Sequence, residues 1–580
     1  MPRLDRETAD GGRQERQTAD CRDGEEKTGA AALRRPRFLC AYFYRVRSLL
    51  LRTRSPDPRP LSSMRRLLQA ASLAASLFAA PLDAQPRVRT ALGVVEGLTL
   101  PSGVHNFRGI PYAAAPVGNR RWKAPQPVTP WTGVRKANRF AAQCMQGRPF
   151  SDMVFRNDGT SEDCLYLNIW APATAARGTL PVLVYFYGGG FVAGDGSENR
   201  YDGESMAKQG IVVVTMSYRL GIFGSFVHPA LTAESPQRAS GNYGLLDQHA
   251  TLAWVQRHIA AFGGDPKRVT IAGESAGSFS VSAQMASPLS RGLIAGAIGE
   301  SGAFFGRTLS AAPRAEAEKQ GERFGALVGA PTLAALRALS SIELMDAANR
   351  PDVPRFGAVV DGWFFPEAPS VLYAKGQQAK VPLLAGWNSQ EMSGRALLRE
   401  FSTAQFTQLL RRTFGDNATE AATHYKAAAD ADVLPAATEL AGDQFIAFGT
   451  WKWLEEHAKS GQPVYRYLFT QKRPAMVKPP ANPGPPDLGA VHSAEIEYAM
   501  GNLPLNPVFA WTPADHATST AMQGYFVNFI KTGNPNGAGL PEWPRGQPQN
   551  GRAVRMVLEA TPRVEEEPRG RYLFLDRVWR

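Results

Sequence analysis

The sequence predicts an α/β protein built on a large, mostly parallel central sheet flanked by helices, and three observations predict it. Apolar, strand-length runs recur at Pro181-Val-Leu-Val-Tyr-Phe186, Ile211-Val-Val-Val-Thr-Met-Ser-Tyr218, Val269-Thr-Ile-Ala272 and Ala295–Glu300. Helical stretches fall between them. Residues 246–262 set Leu246, Ala250, Ala253, Trp254, Val255 and Ile259 near one face, and residues 276–285 are small and helix-compatible. Parallel strands are covered on both faces and joined by helical crossovers, so apolar strands alternating with helices argue for such a sheet. Finally, 580 residues with 44% hydrophobic content suffice for one large core, and α/β enzymes of this length often form one domain.

In chain order, residues 1–63 are rich in Arg and show no sustained period. Residues 64–84 open with Met-Arg-Arg, continue as an almost wholly apolar run from Leu67 to Ala80, and close on Pro-Leu-Asp-Ala. That is the pattern of a secretory signal peptide, cut after Ala84 and too short for a comfortable membrane span. A signal peptide belongs at a chain start, so Met64 is the expected initiator and 1–63 a non-native or disordered extension. Residues 85–580 are then the single mature domain, and the expected location is outside the cell or in a periplasm. The net charge of +13 divides along the chain. Residues 1–63 carry 14 basic and 9 acidic side chains, 64–84 add Arg65 and Arg66 against Asp83, and +7 remains for 85–580. No Lys/Arg cluster with interleaved aromatics accompanies it, which argues against a nucleic-acid partner. No transmembrane run or internal repeat is found, so no stable membrane insertion is expected.

Residues 88–113 read as short strands broken by turns, and Leu165–Trp170 as another strand. Gly263-Gly-Asp-Pro266 ends the 246–262 helix, since Gly stops a helix and Pro cannot continue it. Residues 306–350 and 395–460 are helical in period and are expected as excursions over the active site. The Pro-rich tract Lys478–Asp487 reads as a loop. Of four cysteines, Cys144 and Cys164 fall in the expected mature chain. An even count in an exported protein favours a disulfide, and two Cys without nearby His supply too few ligands for a metal.

The chemistry centres on Gly273-Glu-Ser-Ala-Gly277. Ser275 sits where a strand turns sharply into a helix, and the flanking glycines permit the strained, closely packed turn of a nucleophile elbow. The helix N-terminus behind it offers free N–H groups to a developing oxyanion. Tyr187-Gly-Gly-Gly-Phe191 directly follows the 181–186 strand and resembles the HGGG loop of esterases with Tyr in place of His. Gly189 and Gly190, with Ala276, are the expected oxyanion donors. Among eight histidines, His492 follows the serine, lies in a loop after Gly489-Ala-Val, and fits the base. For the acid, the strand Val381–Gly386 runs into Trp387-Asn-Ser-Gln-Glu391, and α/β sheets place catalytic groups just past strand C-termini. Asp361 and Glu367 are rivals on position alone.

These motifs resemble the type-B carboxylesterases, the cholinesterase-like branch of the α/β-hydrolases. The likeness extends from about residue 93 to 575. It includes Phe107-Arg-Gly-Ile-Pro-Tyr-Ala113, Glu162-Asp-Cys-Leu-Tyr-Leu-Asn168, Asn242-Tyr-Gly-Leu-Leu-Asp-Gln248, Phe262-Gly-Gly-Asp-Pro266 and Gly386-Trp-Asn-Ser-Gln-Glu391. Gly489-Ala-Val-His492 and Thr532-Gly-Asn-Pro-Asn-Gly537 complete it. The resemblance implies an α/β-hydrolase fold, the triad Ser275–Glu391–His492, the oxyanion hole Gly189, Gly190 and Ala276, and a Cys144–Cys164 disulfide. It suggests Ser301 as a partner of the acid, and Glu274, beside the nucleophile, is placed in the same supporting group. It implies a small-molecule ester substrate and no metal or organic cofactor. A lipase-like esterase and a catalytically silent binding protein are the alternatives; silent relatives usually lack a triad member, and here all three are present. Two departures stand out. Residues 145–163 contain no Trp, which argues against a cation–π choline site in that loop. Met392 replaces the glycine often found after the acid.

Overall fold

The computed structural model describes residues 85–479 and 484–579. The expected signal peptide, its cut site and the 1–63 extension lie outside the described residues. An eleven-stranded sheet dominates. Its strands are β1 (Leu98–Thr99), β2 (His105–Pro111), β3 (Tyr166–Ala171), β4 (Leu180–Phe186), β5 (Val212–Met216) and β6 (Gly264–Glu274), followed by β7 (Gly296–Glu300), β8 (Leu383–Asn388), β9 (Val464–Phe469), β10 (Val554–Leu558) and β11 (Arg563–Glu566). The spatial order is β11-β10-β9-β8-β7-β6-β4-β5-β3-β2-β1. The block from β5 through β10 is parallel throughout, while β1, β2, β3 and β11 join antiparallel at the two edges.

The central strands are the apolar runs. Val182–Phe186 of β4 and Val212–Met216 of β5 are buried at every position. The strands at 464–469 and 554–558 are not evident from the sequence, because a charged residue interrupts each apolar run. Arg466 of β9 is fully buried against Glu455 and Glu567, and Arg555 of β10 pairs with Glu565. A buried charge held by partners distant in sequence looks, locally, like a surface residue.

Helix α1 (Tyr243–His258) begins three residues earlier than its apolar period, and 259–262 tighten into a 3₁₀ turn that ends at Gly263. Helix α2 (Ala276–Ala286) follows Ser275 and packs on β4, β6 and β7. The two helical excursions form as α3 (Arg314–Leu327), α4 (Thr403–Phe414), α5 (Asp430–Gly442) and α6 (Phe448–Ala458), with shorter turns between them. Among the described residues no helix is long and apolar enough to cross a membrane.

Because β4, β6, β7 and β8 are parallel neighbours, their C-terminal ends lie along one edge of the sheet. That edge carries the Gly188–Gly190 loop after β4, Ser275 after β6, Ser301 after β7 and Glu391 after β8. Near it, Cys144 and Cys164 are joined by a disulfide that closes the 145–163 loop.

Candidate active site

Ser275 adopts φ 53° and ψ −121°, a conformation costly for a residue with a Cβ. Its own N–H donates to Glu300 O at 2.8 Å, tying the elbow to β7. Gly277 is required by packing: a Cβ there would lie 2.0 Å from Phe186 O. The tight turn therefore holds α2 against the end of β4 and lifts the serine hydroxyl out of the sheet edge.

His492 stands between Ser275 and Glu391. His492 Nε2 lies 2.9 Å from Ser275 Oγ, and His492 Nδ1 lies 2.6 Å from Glu391 Oε2. The loops that carry them are stitched together. Gln390 N–H donates to Ala490 O at 2.8 Å, Ala490 N–H to Ser389 Oγ at 2.9 Å, and Gly489 N–H to Gln390 Oε1 at 2.9 Å. The Phe445 ring meets the His492 imidazole edge to face at 5.0 Å and limits its rotation. Glu391 Oε1 accepts from the Asn388 N–H and from Ser301 Oγ, each at 2.6 Å. The histidine's acid is thus held by three donors.

The rival carboxylates are elsewhere and occupied. Asp361 Oδ1 accepts from the Trp363 and Phe365 N–H groups and closes a turn. Glu367 pairs on the surface with Lys375.

Gly189 and Gly190 line the same cavity as Ser275, and Ala276 follows the serine at the start of α2. Gly189 has φ 110°, and a Cβ there would sit 2.2 Å from Ala193 O. None of the three amide N–H groups has an acceptor among the described residues. Tyr187, which stands where esterases of this type carry His, donates to Tyr218 O at 3.0 Å and stacks on the Tyr218 ring. It holds the loop and does not face the serine.

Behind the site lies a cluster of buried carboxyls. Glu274 Oε1 is 3.3 Å from His492 Nε2. Burial pushes the Glu274 carboxyl up to about 8. Burial alone would lower the His492 pKa, but Glu274, then Glu391, outweigh it and raise the imidazole to about 9. Both shifts describe one interaction. Glu274 favours imidazolium only while ionised, and its own burial favours the acid, so the protonation of each depends on that of the other. Glu300 and Glu495 complete the cluster, and both are fully buried. Neither stands out in the sequence. Glu495, three residues after His492 in a polar loop, resembles a solvated side chain, and only the packing of that loop onto the end of β8 buries it.

The serine opens into a cavity of about 640 Å³, lined mainly by apolar side chains such as Phe191, Phe279, Phe304, Phe356, Phe445 and Ile446. This suits the apolar parts of a small organic molecule, while Arg200, Arg219, Gln320 and Arg355 add polar groups to the lining.

Residues 84–573 match the model of the Carboxylesterase family. The chain is 38% identical over 481 residues to the fumonisin B1 esterase of Sphingopyxis macrogoltabida, covering 80% of this chain and 86% of that protein. It is 34% identical over 512 residues to the acetylcholinesterase of Bungarus fasciatus, covering 80% and 82% respectively. The crystal structure of a Geobacillus stearothermophilus carboxylesterase superposes with a TM-score of 0.71 at 33% identity, covering 85% of this chain and all of that one. With its α/β-hydrolase sheet and its match over nearly all of the described residues, the chain belongs to the carboxylesterase family and is a carboxylic ester hydrolase.

Proposed function

We propose that the protein is an exported serine carboxylesterase that works through an acyl-enzyme, with Ser275 as nucleophile, His492 as general base and Glu391 as the acid that orients it. The observation carrying this reading is the unbroken line Ser275 Oγ, His492, Glu391, with spacings of 2.9 and 2.6 Å, at the end of an apolar cavity.

In this reading His492 Nε2 takes the Ser275 proton as Oγ attacks the ester carbonyl. The oxyanion develops toward the amides of Gly189, Gly190 and Ala276, each fixed in advance by backbone geometry; losing one such donor typically costs roughly 10²–10³ in rate. His492 then gives its proton to the leaving alcohol. Water enters, His492 acts again as base, and the acid is released with Ser275 restored. Glu391 holds the proton on Nδ1 and stabilises the imidazolium formed in each half-reaction. No step needs a metal or an organic cofactor. Export is supported by the Cys144–Cys164 disulfide, a bond that persists in oxidising compartments.

The test is a panel of p-nitrophenyl esters of increasing acyl length, with fumonisin B1 added because a 38% identical relative is named for it. The aromatic cavity leads to higher kcat/KM for acyl chains longer than acetyl. Absence of turnover on every ester would defeat the proposal.

A further inference from the structure

Ser301 has one hydroxyl proton and two carboxyl oxygens in reach. Its Oγ lies 2.6 Å from Glu391 Oε1 and 3.2 Å from Glu495 Oε1. One proton serves one acceptor, and the shorter contact claims it. The remaining contact sets a Glu495 oxygen against a lone pair of Ser301 unless that oxygen carries a proton itself. The second oxygen of Glu495 already accepts from the Asn388 side-chain amide at 2.5 Å, so Oε1 is the atom free to be protonated.

The surroundings lead to the same assignment. Glu495 is fully buried, and no Lys or Arg pairs with it among the described residues. The groups facing it are Glu391, Glu274, Glu300, Tyr185 and Tyr467, with His492 as the one possible cation. An ionised Glu495 would be a second buried negative charge close to Glu391, with Asn388 as its donor, an arrangement that desolvation and like charge both oppose. Burial, followed by the charge of Glu391, pushes its carboxyl up to about 7.

We propose that Glu495 is a positioning residue that holds a proton on Oε1 and donates it to Ser301 Oγ, committing the Ser301 hydroxyl to Glu391. The resulting chain runs Glu495, Ser301, Glu391, His492, Ser275. It keeps Glu391 fixed and removes the Glu495 charge from the surroundings of His492. The inference rests on Glu391 acting as the acid of the triad.

The experiment compares Glu495→Ala, Glu495→Gln, Ser301→Ala and the Glu495→Ala/Ser301→Ala double variant in kcat and KM on a p-nitrophenyl ester. Ser301→Ala lowers kcat by about 10- to 100-fold, the worth of a hydrogen bond to a charged group, and Glu495→Ala by about 2- to 10-fold, the worth of a neutral one, each with KM within about threefold. Glu495→Gln, whose amide is a permanent donor of the same shape, recovers most of that loss. The double variant is no worse than the poorer single variant, because both act through one link. An infrared difference spectrum, wild type minus Glu495→Gln, shows the loss of a protonated-carboxyl band. Any of three results overturns the proposal: Glu495→Gln as poor as Glu495→Ala, additive losses in the double variant, or a difference spectrum showing only ionised carboxylate. If the wild type hydrolyses no ester, the serine esterase reading fails, while the infrared spectrum still decides whether Glu495 holds a proton.

Discussion

Glu391→Gln separates an orienting acid from a carboxylate that is merely buried nearby, and the structure sets the size of the effect. Glu391 Oε2 meets His492 Nδ1, while Oε1 receives the Asn388 N–H and the Ser301 hydroxyl, all at 2.6 Å. A glutamine can sit there in two ways. With its oxygen toward Nδ1, its NH₂ faces the Asn388 N–H, and leaving buried donors unsatisfied costs about 1–3 kcal/mol. The other orientation keeps the Asn388 and Ser301 bonds and turns the NH₂ toward Nδ1. The imidazole must then carry its proton on Nε2, the atom that faces Ser275 Oγ at 2.9 Å. In that tautomer it cannot accept the serine proton. The analogous change in a Ser-His-Asp triad lowers kcat on the order of 10⁴, about 5 kcal/mol of transition-state stabilisation. We expect a kcat loss of that order with KM within about threefold, since Glu391 lies behind the histidine and away from the substrate. Steady-state kinetics on a p-nitrophenyl ester measures both. Asp361→Asn and Glu367→Gln serve as controls with near wild-type kcat. If Glu391→Gln kept most of its activity while either control collapsed, the assignment of the acid would be wrong.

Other consequences are open to direct measurement. Activity requires neutral His492, whose pKa is raised, so kcat/KM falls as pH drops through a value above the ordinary 6.5; Glu274→Gln removes the neighbouring charge and moves that acid limb to lower pH, and an unmoved limb would show that Glu274 does not set it. Gly189→Ala places a Cβ 2.2 Å from Ala193 O, so it lowers kcat by roughly 10²-fold, in the range for one lost oxyanion donor, and a near wild-type kcat would remove Gly189 from the hole. Breaking the Cys144–Cys164 bond, which spans 20 residues, lowers stability in urea by about 3 kcal/mol; free thiols in a non-reducing peptide map of native material would count against the bond and against export. N-terminal sequencing of the native protein should begin at Gln85, and recovery of any peptide from residues 1–63 would refute Met64 as the initiator.

Much of the site was legible because its geometry is local. A glycine on each side of Ser275, three glycines after β4, and a carboxylate three residues past β8 are constraints that a single strand end imposes on its own neighbours. The parallel order of β4, β6, β7 and β8 then brings separate motifs to one edge. What stayed hidden depends on tertiary placement. Arg466 and Arg555 mask β9 and β10, since the glutamates that neutralise them sit on neighbouring elements, Glu455 on α6, Glu567 past β11 and Glu565 on β11. Glu300 and Glu495 look like ordinary acidic residues until the sheet edge buries them beside Glu274 and Glu391. Strand position and the family resemblance favour Glu391 over Asp361 and Glu367, but the pairing of the 388–391 and 488–492 segments that carries it to His492 is encoded by no local pattern.

The central claim is that Ser275 is the nucleophile that becomes acylated. The most direct measurement is acid-quench mass spectrometry of the enzyme mixed with excess p-nitrophenyl ester, mapped to peptides and run beside Ser275→Ala. The account predicts one acyl group, located on the peptide carrying Ser275, a matching burst of p-nitrophenol, and neither adduct nor burst in the variant. An adduct on another residue, or a Ser275→Ala protein that still turns over the ester at a substantial rate, would contradict it.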